Sequence, residues 1–599
     1  MALPNTSEKF DYLIVGAGTA GTTLAAKLSE NPSVTVGLIE AGEYVTDMMS
    51  IMVPGMARMA HGNERVDWNF YTTNQSGCNN RKIFEPRGKL VGGSSALNYM
   101  VMGRASKEEY DALEVFGNPG WNWKSLLPYI KQVEGFVDPP PEIAKAYLAG
   151  GLTDEYNGRD GFIKKSFAHY FNDLHMPFLD AVNNLGVPIN LDPANGANYG
   201  VSTGVFSIDP VTSTRSYAAT AYYAPNTTRD NLVLFSKTQA TKIVFNESHG
   251  GQLVATGVEV ISDGKKLTLK AEKEVILAAG SFQSPQLLEL SGIGKKEILQ
   301  KHGIQPLVEL PVGENLQDHP WVPFMFEISN KIETLDVLGN PERLQQEVKL
   351  YQERQRGMLS SVFSAFSFLP LQSVMTGKEL SSFLQRLDQD PGSTGSAFDQ
   401  KKVDFIKHWI QDGKHAQIEL LQIPGFFSIS PNLKPKDGSH YHTIMNGILH
   451  PLSKGSTHIV SSDPLDPPAI DPGYLKNSLD VDALVAGLRF SERIMKTAPY
   501  ADAGGLHFDP SEEVLQDDKK IAEFVREKVE PFYHPVGTAC MLPKEDGGVV
   551  DHNLKVYGTK NLRVVDASIL PLELSQHIQA TVYAIALKAA DLILAENTV

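Results

Sequence analysis

The chain has little of what disulfide-stapled or membrane-embedded proteins depend on. Its 599 residues include only two cysteines, Cys78 and Cys540, too few for a disulfide framework or a four-thiolate zinc site. The N-terminus has no basic segment followed by an apolar stretch, so we expect no signal peptide in this chain. The compartment stays open between the cell interior and secretion with a trimmed leader. No run reaches the roughly 18 apolar residues that span a bilayer, so we expect no membrane span.

Positive charge is also scarce. Lysine and arginine number 54 against 70 aspartates and glutamates, which gives a net charge of −16. Proteins that bind nucleic acids neutralise phosphates with basic side chains, so this balance disfavours a nucleic-acid partner. The hydrophobic content of 42% is enough for a packed core. The length predicts more than one domain, or one large α/β unit with a second lobe.

What the sequence does contain is a nucleotide-binding pattern at its start. The run FDYLIV predicts a buried strand, GAGTAG follows it, and TTLAAKLSE has helical spacing before a second strand, VTVGLI. In such a βαβ unit Gly16 permits the tight turn, Gly18 lets the backbone approach a pyrophosphate, and Gly21 packs the helix against the sheet. Glu40 would accept hydrogen bonds from ribose hydroxyls and repel a 2′-phosphate. That disfavours NADP and leaves NAD and FAD open.

The rest of the chain predicts one discontinuous cofactor domain with a second lobe inserted in it. Strand-like runs of the dinucleotide-binding type return near residues 230–315, and the C-terminal end is dense again, with a helix expected from about Ala580 to Ala595. The proline- and glycine-rich stretch at 138–160 predicts a lobe boundary. The segment DPGSTGSAFD, near 390–400, predicts a loop.

Two further segments carry residues with catalytic or binding chemistry. GGSSALN, with Gly93, Ser94 and Asn98, could let its backbone approach a planar ring or a phosphate, or could be an ordinary flexible loop. His534, in PFYHPVG, and His577, in LSQHIQA, could each serve as a base poised near neutral pH. A lone histidine is nevertheless more often structural than catalytic.

The remaining candidates favour ordinary structural roles. His440 and His442 have no further ligand at helpful spacing, so a solvated loop is expected there rather than a metal site. Cys540 has no visible activating partner, so a small buried residue is expected rather than a nucleophile.

Taken together, six segments resemble the glucose-methanol-choline (GMC) oxidoreductases. They are DYLIVGAGTAG, RGKLVGGSSALN, GSFQSPQLLELSGIG, VGENLQDHP, YHPVGTACM and VVDASILP with SQHIQAT, in the order of that family. The resemblance implies FAD as cofactor and oxidation of an alcohol to a carbonyl compound. It implies an α/β fold, α+β overall, in which a discontinuous Rossmann-like FAD-binding domain holds an inserted substrate-binding domain built on an antiparallel sheet. We place the FAD-binding domain at 1–150, 228–318 and 534–599, and the substrate-binding domain at 151–227 and 319–533.

The same resemblance implies roles for individual residues. His534 matches the family's general base, and His577 matches the second active-site position. The FAD contacts would be made by Gly16, Gly18, Thr19, Ala20, Glu40, Gly93, Ser94, Asn98, Ala240, Asp566, Ala567 and Gln579. In this mechanism His534 takes the hydroxyl proton while a hydride leaves the carbon for flavin N5, and His577 orients the same oxygen. Electrons then pass to O2 or a quinone-like acceptor.

The substrate class is less defined. The C-terminal segment resembles sugar oxidases and dehydrogenases, but Glu530 and Phe532 stand where those enzymes hold sugar hydroxyls with an arginine and an asparagine. Tyr99 falls where aryl-alcohol oxidases have a tyrosine that stacks on the substrate ring, and with Phe532 and Tyr533 it would make an aromatic pocket. We therefore expect a primary alcohol, aromatic or conjugated, as a small-molecule substrate. A sugar oxidase or dehydrogenase is the alternative, and a flavoprotein lyase or cyclase without net redox chemistry is a third possibility.

Overall fold

The computed structural model describes residues 9–247, 251–389, 397–428 and 433–596. Its first sheet contains five parallel strands drawn from three separate parts of the chain. Numbered along the chain they lie in the order 3-2-1-4-5, the order of a Rossmann-like sheet. These strands, in that spatial order, are Leu232–Phe235, Val36–Ile39, Lys9–Val15, Lys265–Leu277 and Leu562–Val564. Strands Leu253–Ser262 and Thr238–Glu247 extend the sheet in antiparallel fashion beside the long fourth strand.

The parallel strands bring their carboxyl ends to one edge of the sheet. Gly16 follows the first strand, Glu40 follows the second, and Asp566 comes just after the last. Because this edge is where a doubly wound sheet binds its ligand, three predicted cofactor residues share it for topological reasons.

Two alanine-rich helices cover the first sheet. Thr19–Leu28 and the C-terminal Gln579–Glu596 pack against each other, and most of the first helix and residues 579–590 of the second are buried. A helix that is apolar all round belongs in the interior, and both belong to the cluster of buried residues that surrounds the sheet. The C-terminal helix spans the range predicted for it with one residue added at each end.

The second sheet is antiparallel throughout and belongs to the middle of the chain. Its strands are, in order, Leu506–Asp509, Pro320–Ile328, His440–Ile448, Ile418–Ile423, Ala365–Leu369 and Gly200–Thr203, with Glu530–Pro531 beside the second of these. A Rossmann-like sheet with a second, antiparallel sheet is the predicted fold class, which is confirmed.

Side chains of the second sheet alternate between two environments. Ile418 and Leu420 pack in the hydrophobic cluster that holds the long helix Ser478–Met495, whereas Leu421 and Ile423 face a large cavity on the opposite side. The same alternation puts Glu419 on the cavity side of its strand. The only charged residue of this strand therefore points toward the site.

The remaining elements complete the two lobes. Three small sheets pair Phe70–Tyr71 with Phe84–Glu85, join Glu134–Phe136, Ile163–Phe167 and Val205–Phe206, and join Glu314–Leu316, Gly455–His458 and Ala469–Asp471. The other α-helices are Met49–Met52, Lys107–Val115, Trp123–Val133, Pro141–Ala146, His175–Asn184, Gly280–Leu290, Lys296–Lys301, Pro341–Arg354, Leu371–Val374, Gly377–Gln389, Ala397–Asp412, Glu512–Gln516 and Asp518–Lys528.

Several local expectations have outcomes here. The loop expected near 390–400 lies outside the described residues over 390–396, and residues 397–400 begin a helix instead. The solvated loop expected around His440 and His442 is wrong, because both lie in a strand and His442 is fully buried with a hydrogen bond to the Tyr500 hydroxyl. Cys540 is a buried free thiol, and burial raises its pKa to about 11, as a non-nucleophilic cysteine requires.

The strands of the two sheets follow the predicted division of the chain. Those of the first sheet fall within 1–150, 228–318 and 534–599, and those of the second within 151–227 and 319–533. The domain boundaries themselves stay a prediction. In the described part of the chain, no helix combines the length and apolar character needed to cross a bilayer.

Candidate active site

A cavity of about 450 Å³ lies between the carboxyl edge of the first sheet and one face of the second. Every site residue predicted from the sequence lines it. These are Gly16, Gly18, Thr19, Ala20, Glu40, Gly93, Ser94, Asn98, Tyr99, Ala240, Phe532, Tyr533, His534, Asp566, Ala567, His577 and Gln579. The tertiary structure therefore brings together residues that lie more than 550 positions apart in sequence.

One end of the cavity has the features of a pyrophosphate cradle. Gly16 adopts a φ of +100°, and a Cβ there would lie 2.4 Å from the Ala278 carbonyl oxygen. A Cβ on Gly18, in contrast, would meet nothing nearer than 3.9 Å, so this glycine faces open space. The helix that starts at Thr19 has no side-chain cap and no acidic residue in its first turn, which leaves its first N–H groups available to an anion.

Glu40 is buried at the end of the second strand. Its carboxylate accepts hydrogen bonds from the backbone N–H of Ala17 (2.9 Å) and of Gly42 (2.8 Å). Burial raises its pKa to about 7, although these two bonds and the charge of Lys89 oppose the shift. Each oxygen keeps a lone pair, which fits acceptance of a ribose hydroxyl as well.

Three loops that line the cavity support one another. Asn98 donates to Gln579, which links the Gly/Ser-rich loop to the start of the C-terminal helix. Asp566 accepts from the N–H of Gly280 (2.9 Å) and from the Ser284 hydroxyl (2.6 Å), so its side chain fixes the loop whose backbone lines the cavity. A Cβ on Gly93 would lie 2.6 Å from the Cα of Gly18, so position 93 has no room for a side chain.

These features fit an FAD that extends from the glycine turn to the histidines. Open space at Gly18, free N–H groups at the helix start and a buried acid at the ribose position are what an adenine dinucleotide requires. Ala240 lines the cavity at its adenine end, beside Glu40.

The histidine pair lies at the opposite end of the cavity. The rings of His534 and His577 have centroids 4.6 Å apart and meet edge to face. Tyr533, just before His534, is held at a φ of +68°, and its carbonyl accepts a hydrogen bond from Arg87 (2.6 Å). The backbone N–H of His534 donates to the Asp318 carboxylate at 2.7 Å. The backbone on both sides of the histidine is thus fixed by charged side chains.

A third histidine, His319, determines which nitrogen of His534 can act as a base. Its Nε2 lies 2.9 Å from the Leu449 carbonyl oxygen, which can only accept, so Nε2 carries the hydrogen. Burial, followed by the nearby histidines, holds the pKa of His319 well below its usual range, so it is neutral and its Nδ1 is an acceptor. That Nδ1 lies 3.1 Å from Nδ1 of His534, which must donate. His534 therefore keeps its lone pair on Nε2.

His577 is oriented from behind by Glu419. Its Nε2 donates to the buried Glu419 carboxylate at 2.9 Å. Within the described residues Nδ1 of His577 has no hydrogen-bond partner, so it remains available to a ligand in the cavity. The carboxylate comes from the one charged position of the strand Ile418–Ile423.

Burial keeps His534 unprotonated. Burial is the largest cause that holds the pKa of His534 well below 6.5, and its interactions with His577 and His319 act in the same direction. Behind the pair lies a buried acid cluster: burial raises the pKa of Asp318 to about 6 and raises that of Glu573 well above its usual value. Nitrogen and oxygen atoms of His319, His534 and Glu573 lie within 4.8 Å of one another, but both nitrogens of His319 and Nδ1 of His534 already take part in the hydrogen bonds above. The trio is therefore a proton-positioning network rather than a metal site.

Aromatic rings surround the histidines. Phe532 stacks on His534 with centroids 6.1 Å apart and on Trp321 at 5.8 Å, and Tyr99 packs against Phe363 at 5.8 Å. The rings of Tyr99, Phe532 and Tyr533 all line the cavity, as the sequence predicts. Glu530 does not, because it pairs with Arg81 at 2.9 Å instead.

Sequence reasoning missed three residues of this site. His319 lies in the quoted segment VGENLQDHP, so a histidine next to an acid in a matched motif was a usable signal. Glu419 was also detectable, as a lone charge in an apolar strand. Arg58, which lines the cavity near Tyr99 and Tyr533, had no sequence signal at all.

Comparison with known proteins places this geometry in context. Two family models, both described as GMC oxidoreductase, match residues 10–321 and 451–586. The dehydrogenase mpl7 of Monascus purpureus is 34% identical over 605 aligned residues, which cover 98% of this chain and 96% of that protein. An FAD-dependent oxidoreductase of Chaetomium thermophilum superposes with a TM-score of 0.90 at 30% identity, over 99% of this chain and 100% of the other. A fungal aryl-alcohol oxidase superposes with a TM-score of 0.85 at 28% identity, over 99% and 100% of the two chains.

Proposed function

The chain belongs to the GMC oxidoreductase family, and within it we propose that it oxidises a primary aromatic or conjugated alcohol to the aldehyde, with His534 as the base. It is an FAD-dependent oxidoreductase that acts on CH–OH donors. The observation that carries the narrower proposal is the His534–His577 pair, 4.6 Å apart and enclosed by aromatic rings.

The first step is removal of the hydroxyl proton. Nε2 of His534 bears the lone pair, faces the cavity and belongs to a ring whose depressed pKa keeps it free of a proton at neutral pH. The bound flavin supplies the hydride acceptor. As the alcohol oxygen loses its proton to His534, negative charge never builds up fully on that oxygen.

The other residues hold the reacting atoms and the transferred proton in place. Glu419 fixes the His577 ring through Nε2. When Nδ1 also carries a hydrogen, it can donate to the alcohol oxygen and orient it, and the Glu419 carboxylate balances the charge of that ring. Once protonated, His534 donates through Nδ1 to His319, and this hydrogen bond becomes charge-assisted. The imidazolium is thus stabilised without movement of any group.

The walls of the cavity favour an aromatic alcohol over a sugar. Each sugar hydroxyl left unpaired in a buried site costs about 1–3 kcal/mol. Phe532 offers no donor or acceptor, and Glu530 is engaged with Arg81 outside the cavity. Flat apolar surfaces at Tyr99 and Phe532 suit a planar substrate instead.

Anaerobic mixing of the holoenzyme with alcohols tests the proposal. Benzyl alcohol should bleach the flavin, whereas glucose and xylose should not. Reduction by sugars alone would refute the aromatic assignment, and reduction by no alcohol at all would favour the lyase or cyclase alternative. The same reaction in air, followed with a peroxide assay and with a quinone dye, distinguishes O2 from a quinone-like acceptor.

The base is tested with His534→Ala and a matched control. His534→Ala should retain FAD and lose reduction by benzyl alcohol, because the proton then has no acceptor. His408→Ala changes an exposed histidine outside the cavity and should leave reduction unchanged. Normal reduction by the His534 variant would contradict the mechanism.

A further inference from the structure

Arg58 is an exposed cation on the wall of a cavity that is otherwise largely aromatic at this end. It lies on the short helical segment Pro54–Ala60 and extends over the ring of Phe427, 5.9 Å from its centroid. Its guanidinium also lies beside the phenols of Tyr99 and Tyr533, the residues next to the histidine pair. It therefore belongs to the substrate end of the cavity rather than to the glycine turn.

No carboxylate neutralises Arg58. Among the described residues, none of the acidic side chains comes within 4.0 Å of it, and Glu530, whose charge it influences, is held by Arg81 at 2.9 Å. Arg87 and Arg215 also lack an acidic partner among the described residues, because their hydrogen bonds go to carbonyl or amide oxygens. In a chain with a net charge of −16, this corner of the cavity is locally positive.

Tyr99 adds an unused hydrogen-bond donor at the same place. Its hydroxyl is buried, and the neighbouring Arg58 guanidinium can only donate to it, so the phenol hydrogen has no acceptor in the part of the chain that the structure describes. Burial raises the pKa of this phenol, although Arg58 opposes the shift, so the hydroxyl keeps its proton. A buried donor without a partner costs free energy unless a ligand accepts from it.

We infer that Arg58 and Tyr99 bind a carboxylate on the substrate, so that the natural substrate is an aromatic or conjugated alcohol that bears this acid at the end remote from the reacting carbon. A carboxylate offers two acceptor oxygens to the guanidinium fork and can take the phenol hydrogen as well. His534 and His577 remain the groups at the reacting carbon. This inference rests on the proposed function and narrows its substrate class.

Substrates of matched size provide the test. The holoenzyme is reduced anaerobically with para- and meta-(hydroxymethyl)benzoate, with the corresponding neutral benzamides, and with benzyl alcohol. The better-fitting benzoate isomer should exceed its amide in reduction efficiency by about 10- to 100-fold, the effect expected of hydrogen bonds to a charged group. If neither benzoate isomer exceeds its amide, the inference is overturned, while reduction by benzyl alcohol would leave the proposed function intact.

Variants assign the effect to the residue. Arg58→Gln should remove most of the preference for the benzoate over its amide, and Arg58→Lys should retain part of it. The two substrates are compared within each variant, so a general effect of the substitution on flavin reduction cancels. An unchanged preference in Arg58→Gln would overturn the inference. If Arg58→Gln fails to hold flavin, Arg58→Lys and Tyr99→Phe provide the same comparison. An undiminished preference for the benzoate in both variants would overturn the inference.

Discussion

The hydrogen bond between His319 and His534 gives the sharpest prediction about catalysis. It joins two buried rings at 3.1 Å and places the reactive lone pair on Nε2 of His534. Before reaction the bond is neutral and contributes about 1 kcal/mol, and after proton uptake it becomes charge-assisted and at least twice as strong, at about 2–3 kcal/mol. The increase of about 1–2 kcal/mol stabilises the protonated base and hence the transition state. It corresponds to a factor of about 5–30 in rate.

Replacement of His319 by leucine should remove that increment. We expect His319→Leu to slow the limiting rate of flavin reduction by about 5- to 30-fold, because Nδ1 of His534 is left without an acceptor. His319→Asn is the matched control, since its side-chain oxygen can occupy the position of Nδ1 and accept the same hydrogen. It should recover a substantial part of the rate.

Anaerobic stopped-flow measurement of flavin bleaching separates this step from oxygen reactivity. The flavin content and melting temperature of each variant show whether the fold is intact. A leucine variant that is fully loaded with flavin and reduced at a rate within about twofold of the wild type would refute the positioning role of His319. So would an asparagine variant as slow as the leucine one.

Three further expectations follow from the site. Burial and the neighbouring histidines depress the pKa of His534 below 6.5, so the active free base is fully present above pH 6.5. We expect kcat/KM to fall only when the pH drops through this depressed pKa. An acid limb at or above pH 6.5 would contradict the assignment. Glu419→Leu leaves Nε2 of His577 unpaired and should slow flavin reduction about tenfold, as measured by stopped flow. Glu419→Gln, whose side-chain oxygen can still accept that hydrogen, should slow it less. Gly16→Ala should lower the melting temperature even without FAD, because its Cβ would lie 2.4 Å from a carbonyl oxygen. Gly18→Ala should leave the stability of the apoprotein unchanged, because the atom nearest to its Cβ is 3.9 Å away, but it should weaken FAD binding.

Local sequence was sufficient for the nucleotide-binding half of the fold. Gly16 needs a positive φ, and the strand, turn and helix around it are encoded by neighbouring residues, so the βαβ unit was predictable. The C-terminal helix was equally clear from its own composition. By contrast, His442 was misplaced, because a strand buried on both faces shows no alternation that distinguishes it from a polar loop.

The sequence by itself determined the fold class, the cofactor class and many of the residues that line the cavity, because the segments that carry them are contiguous and each has its own chemical pattern. Only the tertiary structure decided how those residues are paired. His319 meets His534 across 215 positions and Glu419 meets His577 across 158, and such contacts depend on how strands of the second sheet align. The absence of an acidic partner for Arg58 among the described residues is likewise a property of the folded cavity, because the sequence does not show which charges lie close together in space.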